Sequence, residues 1–462
     1  MHRPLLVAPS RSKAFACAML ALLALLLLVA GCGDGGVLGR FGLKPDDIIV
    51  ERRPDPRYEL LFPHYVELCA ISQWHRKDGR RGNPFGHALM YIKGACKDEA
   101  APFPQLRRCR STATSTDDPE HGAAVSVGQW LRNVNFIVVP GYNLVFNGNL
   151  QPDERLTIAH RDATVREVIA RDVFKGVELH DGWTRGPDRS LETFVTDVST
   201  GVDFALQFSR NVFCARTPVP ESVLDEVIAF LNDKNAEYAT GKADYNWDLF
   251  SDNCVHTVRN ALAAANFWSP LPTWEIKLRH ILNPAVPANE FVNLAALGAE
   301  GALASYQDIQ EEGPARDALH DFLWLPTRHG ALVKTLPVHE PNDVYYTRFR
   351  LLAVQSPFRR GKTANAVRLL SDPRFVDLDA NLHYFRDRYD EILTSHDYRR
   401  DPLASVRGTP YRRVERLHYD YINTQLQDVD ELLRRLAAYD ATPGAPKGET
   451  APLGPVELDE EE

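Results

Sequence analysis

Short, often alternating apolar runs fill the first half of the chain: YVELCAISQW at 65–74, HALMYIKGAC at 87–96, VNFIVVPGYNLVF at 134–146, DFALQF at 203–208 and NVFCARTPV at 211–219. A period of two, bounded by Gly, Pro and Asp turns, is the pattern of strands. The intervening segments are too irregular for repeated βαβ units, so a largely antiparallel sheet is predicted, with ATVREVIARDVF at 163–174 as one inserted helix. At Pro218 the period changes. Val223, Val227, Phe230 and Leu231 fall at helical spacing, and a second helix is predicted from near Cys254, with Val255, Val258, Leu262 and Ala265 as its buried stripe. Beyond residue 273 the runs TWEIKLRHIL, ANEFVNLAALGAEGALASYQDIQ, ARDALHDFLWL, NAVRLLSD and DYINTQLQDVDELLRRLAAYD predict a mostly helical region. The fold class is therefore α+β.

At 462 residues the chain exceeds the size of one compact core. Two packed units are expected, 58–272 and 273–441. Residues 32–57, which open on a glycine-rich stretch, read as a flexible tether, and the Pro/Gly-rich, then acidic, 442–462 as a disordered tail. A composition of 44% hydrophobic and 25% charged residues excludes wholesale disorder, and a net charge of −9 argues against nucleic acid as a partner.

The N-terminus carries the clearest targeting pattern. Arg3, Arg11 and Lys13 precede an apolar run from Ala14 to Ala30, too short for a spanning helix and ending in small residues, as in a secretory signal. Val29-Ala30-Gly31-Cys32 resembles the bacterial lipoprotein lipobox. That resemblance implies diacylglyceryl transfer to Cys32, removal of 1–31, and an exported protein held by its lipid on the periplasmic face of a membrane. Removing the three bases of the signal leaves 50 bases against 62 acids, so a polybasic patch does not supply the attachment.

Of seven cysteines, Cys17 leaves with the signal and Cys32 takes lipid, which leaves five in an oxidising compartment. Five is odd, so at least one stays unpaired within the chain. Cys96 and Cys109 flank a short loop and are the easiest pair to close; Cys69 and Cys214 lie on strand-like runs and either pair or stay buried thiols. Neither a metal nor a cofactor is expected, since no CxxC occurs and no Cys/His spacing matches a zinc module.

Cys254 differs by position. It falls in Ser-Asp-Asn-Cys-Val-His-Thr at a helix start, with Ser251 or Asp252 as the expected cap. A helix N-terminus lowers a thiol's pKa and offers N–H groups to an oxyanion. The base it would need is best supplied by His87, which opens an apolar strand after Pro84 and Gly86. His256 lies two residues past the thiol, roughly 200° around the helix, and serves it poorly. Asp98 and Glu99, after the strand of His87, are the candidates to orient its ring.

These motifs together resemble a known group. Phe85-Gly86-His87-Ala88, Asn135-Phe136-Ile137-Val138-Val139-Pro140-Gly141, and Tyr245-Asn246-Trp247-Asp248-Leu249-Phe250-Ser251-Asp252-Asn253-Cys254 with Val258-Arg259-Asn260-Ala261-Leu262 are similar to the periplasmic domain of Lnb-type lipoprotein N-acyltransferases. That family falls in the permuted papain-like NlpC/P60 superfamily, in which the His strand precedes the Cys helix. The likeness covers roughly residues 60–270. It departs at Asn83-Pro84-Phe85, where the family has a Ser-rich run, and after residue 273, where some members have membrane helices. The resemblance implies an antiparallel sheet with a nucleophile helix, and a thiol acyltransferase whose partners are a phospholipid and a lipoprotein. In that reading His87 deprotonates Cys254, and Cys254 N–H with the Tyr245 hydroxyl holds the oxyanion. Apolar loops at 140–146 and 266–274 would contact acyl chains. A cell-wall cysteine endopeptidase or amidase, using the same His87 and Cys254, and a non-enzymatic surface lipoprotein are the competing readings.

Overall fold

The structure, a computed structural model, describes residues 47–72, 86–184, 186–248, 251–273, 285–300, 303, 305–345, 368–397 and 406–453. The signal at 1–31 and lipidation of Cys32 lie outside the described residues. Strands β1 (Ile49–Arg53), β2 (Tyr65–Ile71), β3 (His87–Lys93), β4 (Ala95–Lys97), β5 (Leu106–Arg108), β6 (Gly122–Val127), β7 (Phe136–Pro140), β8 (Val212–Pro218), β9 (Leu332–Leu336) and β10 (Glu449–Pro452) form three sheets. The central one has six antiparallel strands in the order β7-β6-β3-β2-β8-β9. The structure is mixed α/β with an antiparallel sheet and a helical C-terminal region.

Strand alternation gives the sheet two chemically different faces. Val66, Leu68 and Ala70 share one face with their register partners Ile92, Met90 and Ala88. That face is apolar, and helices cover it. Helix α1 (Pro56–Leu61), α2 (Tyr142–Phe146), α3 (Ile158–Ala170), α4 (Leu191–Phe194), α5 (Glu221–Ala239), α6 (Cys254–Ala264) and α7 (Pro287–Glu300) precede β9. Of these, α7 lies on β2 and β8, where Phe291 meets Phe213, and α6 lies on β3 and β6.

The other face carries buried charge. Lys93 and His121 both reach Glu59 Oε2 at 2.8 Å, and Arg216 and Lys334 both reach Glu67 Oε1 at 2.7 Å. Arg216 also stacks over the Tyr58 and Tyr65 rings, at 4.5 and 4.8 Å. Burial alone would raise the Glu59 carboxyl, but the His121 hydrogen bond and the charges of His121, Lys93 and Arg216 hold it well below the usual range. Such a network adds little net stability over an apolar replacement, but removing one member strands its partner at about 3–5 kcal/mol.

Several expectations are corrected here. Val212–Pro218 is joined at the sheet edge by β9, which comes from the region predicted to be helical. LVKTL is short and follows a run of helices, so its strand character appears only once β8 offers it an edge. Parts of the expected tether and tail are strands: Ile49–Arg53 of the one pairs with Glu449–Pro452 of the other. Leu206–Phe208, within DFALQF, is a single 3₁₀ turn rather than a strand, and GAAVSV at 122–127 is a strand that its small residues concealed. Tyr142–Phe146 is a helix on the charged face, with Lys334 over the Phe146 ring. The remaining helices include α8 (Tyr306–Glu311), α9 (Gly313–Phe322), α10 (Pro373–Val376), α11 (Leu378–Ser395) and α12 (Thr409–Asp440), the last packed along α11.

Both open cysteine questions close. Cys69 and Cys214 sit opposite one another across β2 and β8 and form a disulfide, as do Cys96 and Cys109. Cys254 is a free thiol.

Three buried histidines make stability depend on pH. Burial pushes His87 down to about 3, and His329 and His418 to about 4. Their folded values lie below the unfolded one, so the stability they contribute is complete above pH 6.5 and is lost as pH falls toward 4. Asp252, pushed up to about 6 by burial, and Asp203, also raised, act in the opposite direction. The three histidines outnumber the two acids, so the net effect is proton uptake on unfolding, and stability falls as pH drops toward 5. Urea unfolding at pH 7, 6 and 5 checks this, and a midpoint that stays flat or rises toward pH 5 contradicts it.

Candidate active site

Helix α6 begins at Cys254 because Asn253 caps it. The Asn253 side chain accepts from Val255 N at 2.8 Å and His256 N at 3.3 Å, and His256 Nδ1 accepts from Asn253 N at 3.4 Å. This is a reciprocal capping box. The cap is thus Asn253, not Ser251 or Asp252. His256 is part of it. Because the cap occupies the amides of Val255 and His256, the first N–H of the helix, that of Cys254 itself, is the one left toward a ligand.

Cys254 and His87 line one cavity of about 200 Å³. The sulfur rests against the backbone N–H of Ala88, the residue after His87. The sequence separation of the two side chains is therefore bridged by α6 lying on β3. Burial pushes the Cys254 thiol up to about 11, despite the N–H groups of Ala88, Val255 and Cys254 around it. Burial, with Arg210 nearby, pushes His87 down to about 3. Near pH 7 the cavity therefore holds a neutral thiol and a neutral imidazole, not an ion pair.

His87 is held by residues that sequence reasoning missed. Its Nε2 lies 2.8 Å from Ser126 Oγ, and Ser126 Oγ donates to Asp203 Oδ1 at 2.5 Å. Ser199 Oγ donates to the other oxygen, Asp203 Oδ2, at 2.6 Å. The Ser126 hydroxyl has one proton, given to Asp203, so it accepts from His87 Nε2–H. The ring is then the Nε2–H tautomer, with the lone pair on Nδ1. Asp203 is buried, which raises its pKa against the two serine bonds and the Arg210 charge.

Asp98 and Glu99 do not orient His87. They follow the far end of β3, and seven residues at about 3.3 Å each carry them some 20 Å from its start. There Asp98 Oδ1 accepts from Ala100 N, and Glu99 pairs with Lys97 at 2.5 Å. Tyr245 is close enough for its ionisation to feel Cys254, and its hydroxyl donates to Gly128 O at 3.3 Å, so its proton is engaged there in this arrangement. The loops expected to hold acyl chains lie elsewhere: Phe267 packs on Trp324, and Trp268 under Arg259. The apolar wall comes instead from Trp130, Leu131, Phe174, Phe194, Val198 and Trp247.

Gly86 fixes the entry to β3. Its φ is +71°, and a Cβ there would run into the Ile71 carbonyl. Replacing it with Ala should cost about 2–3 kcal/mol of stability and shift His87 away from Ser126. Urea unfolding and activity of Gly86→Ala check this; unchanged values for both would contradict the account of the strand start.

Two groupings of side chains come near enough to share a metal, Glu67 with Cys69 and Cys214, and Glu120 with Cys96 and Cys109. In both, the sulfurs are committed to disulfides. Among the described residues no helix is long and apolar enough to cross a membrane. No family model, curated protein or solved structure matches this chain.

Proposed function

We propose that the protein is a membrane-tethered thiol acyltransferase with a permuted papain-like catalytic unit, moving an acyl chain from a phospholipid to the N-terminal amine of a lipoprotein. The observation that carries this reading is a free Cys254 at a helix start, sharing a largely apolar cavity with a histidine whose distal nitrogen is fixed.

Because both partners rest neutral, proton transfer and attack belong to one step. His87 Nδ1 takes the thiol proton as sulfur bonds to the acyl carbonyl carbon, and the positive charge on the ring is met by Asp203 through Ser126. The oxyanion is held by Cys254 N–H. Collapse of the intermediate breaks the carbon–oxygen ester bond, His87 returns the proton to the leaving alkoxide, and a lysophospholipid departs. The acceptor amine then attacks the thioester, loses a proton to His87, and expels sulfur, which regains that proton. The products are an N-acylated lipoprotein and the starting thiol. The lipid expected on Cys32 would place this cavity at the bilayer holding both substrates.

An endopeptidase or amidase would use the same pair, but its substrate is polar, and the aromatic and aliphatic walls favour an acyl chain. The test is mass spectrometry of lipoprotein N-termini from cells carrying Cys254→Ala. Loss of the N-acyl group is expected; unchanged acylation rejects the transferase, and altered cell-wall fragments would point to the hydrolase.

A further inference from the structure

Arg210 is a buried cation with too few partners. It is 4% exposed and lines the same cavity as Cys254 and His87. A guanidinium has five N–H donors. Among the described residues Arg210 makes one hydrogen bond, from Nη1 to Ser72 O at 3.0 Å, and its Nε is buried with none. It forms no ion pair within 4.0 Å with a described carboxylate, and the charge of Asp203 acts on it only without direct contact. The two carboxylates of the wall are already engaged: Asp203 accepts from Ser126 and Ser199, and Asp197 has an interaction of its own.

A buried charge left this way is costly unless a ligand completes it. The rest of the wall is mostly apolar, so the ligand that satisfies both is an amphiphile with an anionic group near a reactive acyl carbon. A planar fork with several free donors suits two oxygens of one phosphorus better than a single oxyanion. We infer that Arg210 binds the phosphodiester of the acyl donor and so selects a phospholipid over a neutral diacylglycerol. This rests on the acyltransferase reading for the identity of the ligand.

The test uses the full chain with Cys254→Ala, so that turnover does not intervene, and calorimetric titration with dihexanoyl phosphatidylglycerol, dihexanoylglycerol and inorganic phosphate. The phospholipid should bind at least about 10-fold more tightly than the neutral lipid, the scale of one charge-assisted contact. Arg210→Met should remove that preference, and Arg210→Lys should keep part of it with an unchanged circular dichroism spectrum. Equal binding of the two lipids, or a preference that survives Arg210→Met, overturns the inference. Inorganic phosphate binding as tightly as the phospholipid overturns its lipid part. With Cys254 present, Arg210→Met should raise KM for the phospholipid and leave kcat nearly unchanged; a fall in kcat whatever the headgroup would make Arg210 an oxyanion donor and overturn the assignment. Tight, Arg210-dependent binding without acylation of Cys254 would support this inference while rejecting the proposed function.

Discussion

Replacing Cys254 with Ser lowers acyl transfer by at least about 10⁴-fold and leaves the fold intact. The cavity loses little volume, and the Asn253 cap does not involve the side chain at 254, so α6 still starts where it does. What disappears is the nucleophile. A hydroxyl is a far weaker acid than a thiol, and His87, pushed down to about 3, is too weak a base to compensate. Transfer from phospholipid vesicles to an N-terminal Cys lipopeptide, measured beside urea unfolding, checks this. Retained transfer by Cys254→Ser would show that the thiol is not the acyl carrier.

Asp203→Asn comes next, with a loss in kcat of about 10³–10⁴ and little change in KM, the scale seen when a histidine is held in the wrong tautomer. The reason is the direction of the hydrogen bonds. Asp203 accepts from Ser126, which makes Ser126 an acceptor for His87 Nε2–H. An Asn at 203 can turn its amide to donate to Ser126. The hydroxyl then donates to Nε2, and the ring carries its proton on Nδ1, toward the thiol. Ser126→Ala should lose less, about 10²-fold, because water can replace the hydroxyl between ring and carboxylate. The same logic gives a pH dependence. Asp203 has a raised pKa, so as pH falls through that value its protonation reverses the relay, and activity drops on the acid side. In Asp203→Asn that acid limb should be missing from the kcat profile. A merely structural role for Asp203 would lower activity at all pH values while keeping the limb.

The candidate pair is legible in the sequence because each member has a local signal: a cap motif ahead of Cys254, and Pro84 and Gly86 ahead of His87. The relay is not. Ser126 lies within GAAVSV, whose small residues hide the strand, and it reaches His87 only because β6 pairs with β3 so that Ser126 stands opposite Leu89. Asp203 comes from a short turn between α4 and β8, and no spacing in the sequence ties it to either. Asp98 and Glu99 are near His87 only along the chain, and an extended strand turns that nearness into distance. Arg210 carries no signal in the sequence; what marks it is its burial together with a single hydrogen bond, and both depend on the fold.

An acyl group carried on Cys254 would be covalent and can be weighed. Full-length protein is mixed with vesicles of dipalmitoyl phosphatidylglycerol in the absence of an acceptor amine, quenched in acid, and the peptide containing Cys254 is weighed by mass spectrometry before and after hydroxylamine. One palmitoyl group is expected on that peptide, released by hydroxylamine, with an equal amount of lysophospholipid formed. An unmodified Cys254 peptide under these conditions, or an acyl group that stays after hydroxylamine, would contradict it.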